Sequence, residues 1–383
     1  MSNLTHKRKL VYVFQGGGAL GSFQVGGMQA LAEHDYNADM VVGISIGGIN
    51  AAIMAGNPPQ QRVAMLRKFW DKITVSIPIP HNFGLAMIDK WHNFCGAQHA
   101  LWQGQTGFYR PRLISPWLLT DAEPDQLSFY DTAPLRETLH EVIDFDYLNQ
   151  GHVRLCLGVT DLESGDFIFF DSSKQIITAE HIMASGALPP GFPAIKIDGR
   201  YYVDGGVYAN TPLTKVLEEF ADNDAELHNL LCFMFDLFPA KGVLPRSMDA
   251  MLARIKDIQY SSHSKRSSAI YSTSQNLSHT IRILGTKLAP EVRADPKIKE
   301  LLKLGNANRL DLVHIIYNSA NNHELDSKDY NFSAETAKIH YQQGYATTKG
   351  LIEAKQSEWQ KLHNEGLTVY TLNNEQEVVS IKF

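Results

Sequence analysis

The first block of apolar residues, Leu10-Val11-Tyr12-Val13-Phe14, is nearly continuous and rich in β-branched and aromatic side chains. It predicts a strand covered on both faces, as parallel sheets require. After Gly16-Gly17-Gly18, the stretch Ala19 to Ala32 carries Leu20, Phe23, Gln24, Gly27 and Leu31 at helical spacing. Met40-Val41-Val42 predicts a second buried strand, Gly43 to Gly47 a sharp turn, and Gly48 to Ala55 a helix stopped by Gly56 before Asn57-Pro58-Pro59. Strand, helix, strand, helix in this order predicts an α/β fold built on a parallel sheet.

Between residues 70 and 125 the periodicity fades, and Trp70, Trp91, Trp102 and Trp117 fall among many Pro and Gly. Strands resume at Val153 to Val159 and Phe167 to Phe170, followed by a short helix from Ala179 to Ser185 capped by Thr178. Asp198-Gly199 between Ile195-Lys196-Ile197 and Tyr201-Tyr202-Val203 predicts a hairpin. Thr211-Pro212 opens a helix, and Leu230 to Leu237 is another buried strand. Past Pro239 the pattern turns mostly helical: Ser247 to about Leu284, Asp295-Pro296 to Leu304, and Ser333 to about His363, with one strand at Leu310 to Tyr317. A soft boundary therefore falls near residue 240, dividing a 1–240 domain from a helix-rich 241–383 extension packed on it or continuous with it.

The chain has 383 residues, 44% hydrophobic and 20% charged, with 35 Lys and Arg against 41 Asp and Glu for a net charge of −6. Those values describe a folded globular chain with no overall attraction to nucleic acid. Cys95, Cys156 and Cys232 are odd in number and widely spaced, offering neither a disulfide framework nor metal-ligand spacing. No run of about 18 apolar residues is present, and the apolar stretch after the basic N-terminus is shorter than a signal-peptide core. The expectation is a cytoplasmic protein without metal or cofactor.

Three short motifs carry candidate chemistry. Gly43-X-Ser45-X-Gly47 has the spacing of a nucleophile elbow, in which a serine on a tight strand-to-helix turn projects its oxygen away from the sheet. The following helix aligns Gly47, Ala51 and Ala55 in one row and Gly48 and Ala52 in the next, a bare face that permits close packing. Gly16-Gly17-Gly18-Ala19-Leu20-Gly21 can converge consecutive N–H groups at a helix N-terminus, which suits an oxyanion hole or a phosphate cradle. It also matches G-x-G-x-x-G, although the acidic Asp39 precedes the second strand, where a dinucleotide fold wants it at the strand's end. Partnership with Ser45 decides between these uses. The third motif, Asp204-Gly205-Gly206, sits past the strand Tyr201 to Val203, and in isolation it reads first as a turn whose Asp bonds its own backbone.

In order and spacing, over residues 9–238, these motifs resemble the patatin-like phospholipase family. The stretch Ala184-Ser185-Gly186-Ala187-Leu188-Pro189-Pro190-Gly191-Phe192-Pro193 and the pair Asn210 and Pro212 add to the likeness. The resemblance implies a three-layer α/β/α fold with a mainly parallel central sheet, and a Ser–Asp dyad that hydrolyses lipid acyl esters. Ser45 would be the nucleophile, Asp204 the base, and the N–H groups around Gly16, Gly17 and Gly18 the oxyanion hole. The family usually carries Arg or Lys where this chain has Leu20. Residues 240–350, with Asp329-Tyr330-Asn331-Phe332-Ser333, resemble an extension found on a bacterial subgroup.

An aspartate near its ordinary pKa of about 3.9 is a feeble base. Burial would raise it, and Phe192, Tyr201, Tyr202 and Val203 could wall such a pocket. Of the fifteen histidines, His181 and His314 lie in predicted elements, but neither follows a late strand as a Ser-Asp-His order demands. Trp91, Phe94, Trp102, Phe108, Tyr109 and Trp117 read first as plain core; with Arg110 and Arg112 they could instead form a lid or acyl-chain wall that meets lipid heads, or a dimer interface. The expected partner is a lipid ester, with peripheral membrane contact and oligomerisation left open. Acyl transfer on the same dyad and a vestigial lipid-binding site are the alternatives.

Overall fold

The computed structural model describes residues 8–76, 95–96, 98–221, 229–261, 264–305, 309–318, 327–359, 366–372 and 378–382. Among these residues the frame is a ten-stranded sheet that begins with β1 (Lys9–Phe14) and β2 (Met40–Ile44). After a two-stranded ribbon of β3 (Arg110–Pro111) and β4 (Tyr130–Asp131), the sheet takes in β5 (Arg154–Asp161), β6 (Phe167–Asp171), β7 (Ile195–Ile197), β8 (Arg200–Asp204) and β9 (Asn229–Asp236). It is completed by β10 (Arg309–Ile316), β11 (Gly366–Leu372) and β12 (Val378–Lys382), in the order β12-β11-β10-β9-β1-β2-β5-β8-β7, with β6 also on β5. From β11 through β5 the neighbours pair parallel, and the antiparallel members sit toward the two edges.

Period-two alternation in β1 sorts the core into two layers. Tyr12 and Phe14 face the larger core, where α1 (Gly21–Glu33), α2 (Ile46–Ala55) and α3 (Pro59–Ile73) pack with the long helix Ala334–Trp359. Val11 and Val13 face the opposite layer, with Val42, Cys156, Cys232 and Met234, under Leu213, Val216 and Leu217 of the helix Leu213–Ala221. The result is the expected α/β/α arrangement. Among the described residues no helix is long and apolar enough to cross a membrane.

Two details depart from the sequence pattern. The second helix starts at Ile46, immediately after Ser45, because that one residue turns the chain at φ 56° and ψ −130°. The region past residue 240 is helical, with Met248–Tyr260, Ser264–Lys287 and Pro296–Leu302, but it also donates three strands. β10 pairs with β9 along eight residues, so the sheet continues without interruption across the expected boundary. The strands β11 and β12 had no counterpart in the sequence reading, and the long helix ends at Trp359, with 360–365 outside the described residues.

Candidate active site

Ser45 sits at the C-terminal end of β2, next to the central strand β1, at the N-terminus of α2. A Cβ at Gly47 would lie 2.6 Å from the carbonyl oxygens of both Phe14 and Gln15, so α2 can approach β1 this closely only with glycine there. The Ser45 N–H donates to the Ser185 carbonyl at 2.9 Å and to Ser185 Oγ at 3.2 Å, while Ser185 Oγ donates to the Gly158 carbonyl. The Ala184-Ser185-Gly186 stretch, at the C-terminal end of the helix Ala179–Ser185, thus ties the strained residue to β5. Beneath α2, the Trp70 indole donates to Asn50 Oδ1, and Asn50 Nδ2 donates to the Gly21 carbonyl and Gln24 Oε1, a closed buried network.

Asp204 ends β8 opposite Val159 of β5, its N–H donating to the Ala187 carbonyl at 3.0 Å. The side chain is 1% exposed. Oδ1 accepts the Gly206 N–H at 2.7 Å, whereas buried Oδ2 has no partner of ordinary hydrogen-bond geometry. Burial pushes the carboxyl up to about 7, against the downward pull of the Ser45 hydroxyl and the Gly206 N–H. The Ser45 hydroxyl is the side chain that acts on this carboxyl. Of the four residues expected to wall this carboxyl, only Tyr202 shares its face of β8. Tyr201 and Val203 cluster with Ala194, and Phe192 packs on Phe108, Tyr109 and Tyr130.

The glycine-rich loop borders the serine: a Cβ at Gly16 would lie 3.0 Å from Ser45 Cβ and 2.6 Å from Asn210 Oδ1. Asn210 Nδ2 donates to the Gly16 carbonyl, and the Gly16 N–H donates to the Asn210 carbonyl at 3.3 Å. The Ala19 N–H donates to the Asp329 carbonyl at 2.7 Å. Among the described residues, the N–H groups of Gly17 and Gly18 carry no such bond, and both residues are partly exposed. Leu20 is fully buried, so its position brings no charge to the site.

Neither singled-out histidine meets the pair. His181 closes a capping box with Thr178 and packs on Phe170, and His314 pairs with Asp236. The aromatic stretch divides. Phe108 and Tyr109 are buried against Phe192, whereas Trp102 and Trp117 are 78% and 82% exposed; Trp91 and Phe94 lie outside the described residues. Arg110 is committed to Asp131, and Arg112 to Ser128 Oγ and the carbonyls of Tyr130 and Asp125. Sequence reasoning missed the Asp329 carbonyl, which a backbone atom's type cannot announce, and the part Ser185 plays.

A parallel α/β sheet with a strained serine on a strand-to-helix turn, a buried carboxyl beside it and a glycine loop at its rim belongs to the elbow-bearing α/β proteins. A family model described as patatin-like phospholipase matches residues 12–217, and a second, described as patatin phospholipase, matches residues 258–365. The chain belongs to the patatin-like phospholipase family, which implies a lipid acyl hydrolase. No curated protein matches it. Among solved structures it is similar to VipD from Legionella pneumophila, at 15% identity and a TM-score of 0.37, over 90% of this chain and 67% of that one.

Proposed function

We propose that the protein is a serine hydrolase that cleaves fatty-acyl esters of phospholipids or related lipids through a Ser45–Asp204 dyad. The observation that carries this reading is the buried, unpartnered Oδ2 of Asp204 beside the Ser45 hydroxyl. A carboxyl brought to about 7 is half-ionised near neutral pH and basic enough to take a hydroxyl proton. Asp204 removes the proton as Ser45 Oγ bonds to the ester carbonyl carbon, and the carbonyl electron pair moves to oxygen. The N–H groups of Gly17 and Gly18 hold that oxyanion; Gly16, whose N–H is engaged by Asn210, shapes the loop. Collapse expels the alcohol, which takes the proton from Asp204 and leaves acyl-Ser45. Water then adds to the acyl carbon and gives its proton to Asp204; departure of Ser45 Oγ with that proton releases the fatty acid.

Exposed apolar side chains at Leu113, Ile114, Trp117 and Leu118 support peripheral contact with aggregated lipid, since Trp and aliphatic tips suit a headgroup boundary. A screen of phospholipid, lysophospholipid, monoacylglycerol and short-chain esters tests the reading with Ser45→Ala and Asp204→Asn alongside. Both variants should be folded and inactive, with fatty acid as the wild-type product. Near-normal hydrolysis by Ser45→Ala would refute the dyad, and an acylated acceptor in place of free fatty acid would make the protein a transferase.

A further inference from the structure

Two carbonyl oxygens from beyond residue 240 hold the glycine-rich loop, one directly and one through the side chains that support it. The Asp329 carbonyl accepts the Ala19 N–H at 2.7 Å, and a Cβ on Gly18 (φ 52°) would lie 2.0 Å from that oxygen. From the other side, the Tyr260 carbonyl accepts Gln15 Nε2 at 2.7 Å and Asn210 Nδ2 at 3.4 Å. Both donors belong to the loop's supports: Gln15 precedes it, and Asn210 also donates to the Gly16 carbonyl. The loop is thus gripped at its start and its end by the extension.

The two gripping segments are tied to each other. Lys256 Nζ meets Asp329 Oδ1 at 2.7 Å and lies 5.2 Å from the centre of the Tyr330 ring. Lys328 pairs with Asp257, both deeply buried. Farther along, Phe332 stacks on Trp70, and its carbonyl accepts the Val75 N–H at 3.0 Å, anchoring the segment to the end of α3. A loop that serves as an oxyanion hole gains most from being fixed before substrate arrives, because donors that must reorganise stabilise the transition state less. Here Asn210 fixes Gly16, and the extension adds the Asp329 carbonyl on Ala19 and the Tyr260 carbonyl behind Gln15 and Asn210.

We propose that residues 248–261 and 327–333 form a clamp that presets the glycine-rich loop for oxyanion binding, with the Lys256–Asp329 pair as its outer closure. Lys256 and Asp329 are positioning residues that act through the Asp329 carbonyl on Gly18 and Ala19. This rests on the serine-hydrolase reading above. Partner replacement is informative at Lys256–Asp329, where both side chains are about one-quarter exposed, whereas unpairing the buried Lys328–Asp257 would threaten folding itself.

The test compares the full-length wild type with Lys256→Met, Lys256→Arg and the reversed pair Lys256→Asp with Asp329→Lys. Hydrogen exchange of the amides at 17–20 is measured beside kcat and KM on one ester. Lys256→Met should exchange these amides severalfold faster and lose about tenfold in kcat, as small misplacements of catalytic groups do, with KM within twofold. Lys256→Arg and the reversed pair should recover both readouts. Wild-type exchange and kcat in Lys256→Met would overturn the clamp alone, as would a loss that neither charge-restoring variant repairs. A wild type that hydrolyses no ester would overturn the clamp's catalytic purpose together with the hydrolase reading, whatever the exchange shows.

Discussion

Holding a non-glycine residue at φ 56° costs on the order of 1–3 kcal/mol, and Ser45 is held there by its bonds to Ser185 and by the start of α2. Glycine adopts that geometry freely. Ser45→Gly should therefore be more stable than the wild type by about 1 kcal/mol in urea denaturation while losing all hydrolysis. Asp204 makes a second, pH-dependent trade. It keeps its proton to about pH 7 when folded, but only to about 3.9 when unfolded. The folded state therefore binds the extra proton between those values, and this contribution is lost as pH rises through the window. Asp204→Asn should gain in melting temperature over the wild type as pH climbs from 4 to 8. In the wild type, kcat/KM should rise with pH through about 7 as the carboxylate forms; a profile flat from pH 5 to 8 would contradict a base with that pKa.

At the scale of elements, the turn between β2 and α2 and the loop after β1 were legible because their chemistry demands visible residue types. Gly47 is one such mark: its missing side chain admits the carbonyls of Phe14 and Gln15 at a distance backbone atoms cannot relax. Gly47→Ala should force α2 off β1, destabilising the protein by about 2 kcal/mol and depressing hydrolysis with it; thermal melts with ester assays check both. Taken alone, Asp204-Gly205-Gly206 was legible only as a turn, since burial of its carboxyl depends on a strand order that no local pattern states; its assignment as the base came from the family resemblance. The walls expected from Tyr201 and Val203 failed for a different reason: alternation in β8 sends both to the face opposite Asp204. β11 and β12 went unread beside a helix with clearer periodicity, and the Asp329 contact was invisible because any residue supplies a carbonyl.

Across the whole molecule, the catalytic sheet and the extension share one core. β10 covers the edge that β9 would otherwise present, and the helix Ala334–Trp359 lies along α1. A 1–240 fragment would expose the β9 edge and the apolar flank of α1 together, so size-exclusion chromatography should find it aggregated, not monomeric. The outward tips of residues 113–118 belong to this scale too: Trp117→Ser should weaken sedimentation with phospholipid vesicles while leaving hydrolysis of a soluble short-chain ester near wild type. The central claim, however, concerns one oxygen made reactive by one carboxylate. Intact-protein and peptide mass spectrometry after exposure to a fluorophosphonate should find a single adduct on Ser45 in the wild type and none, or a severely slowed one, in Asp204→Asn. An unmodified Ser45, or equal labelling without Asp204, would contradict the account.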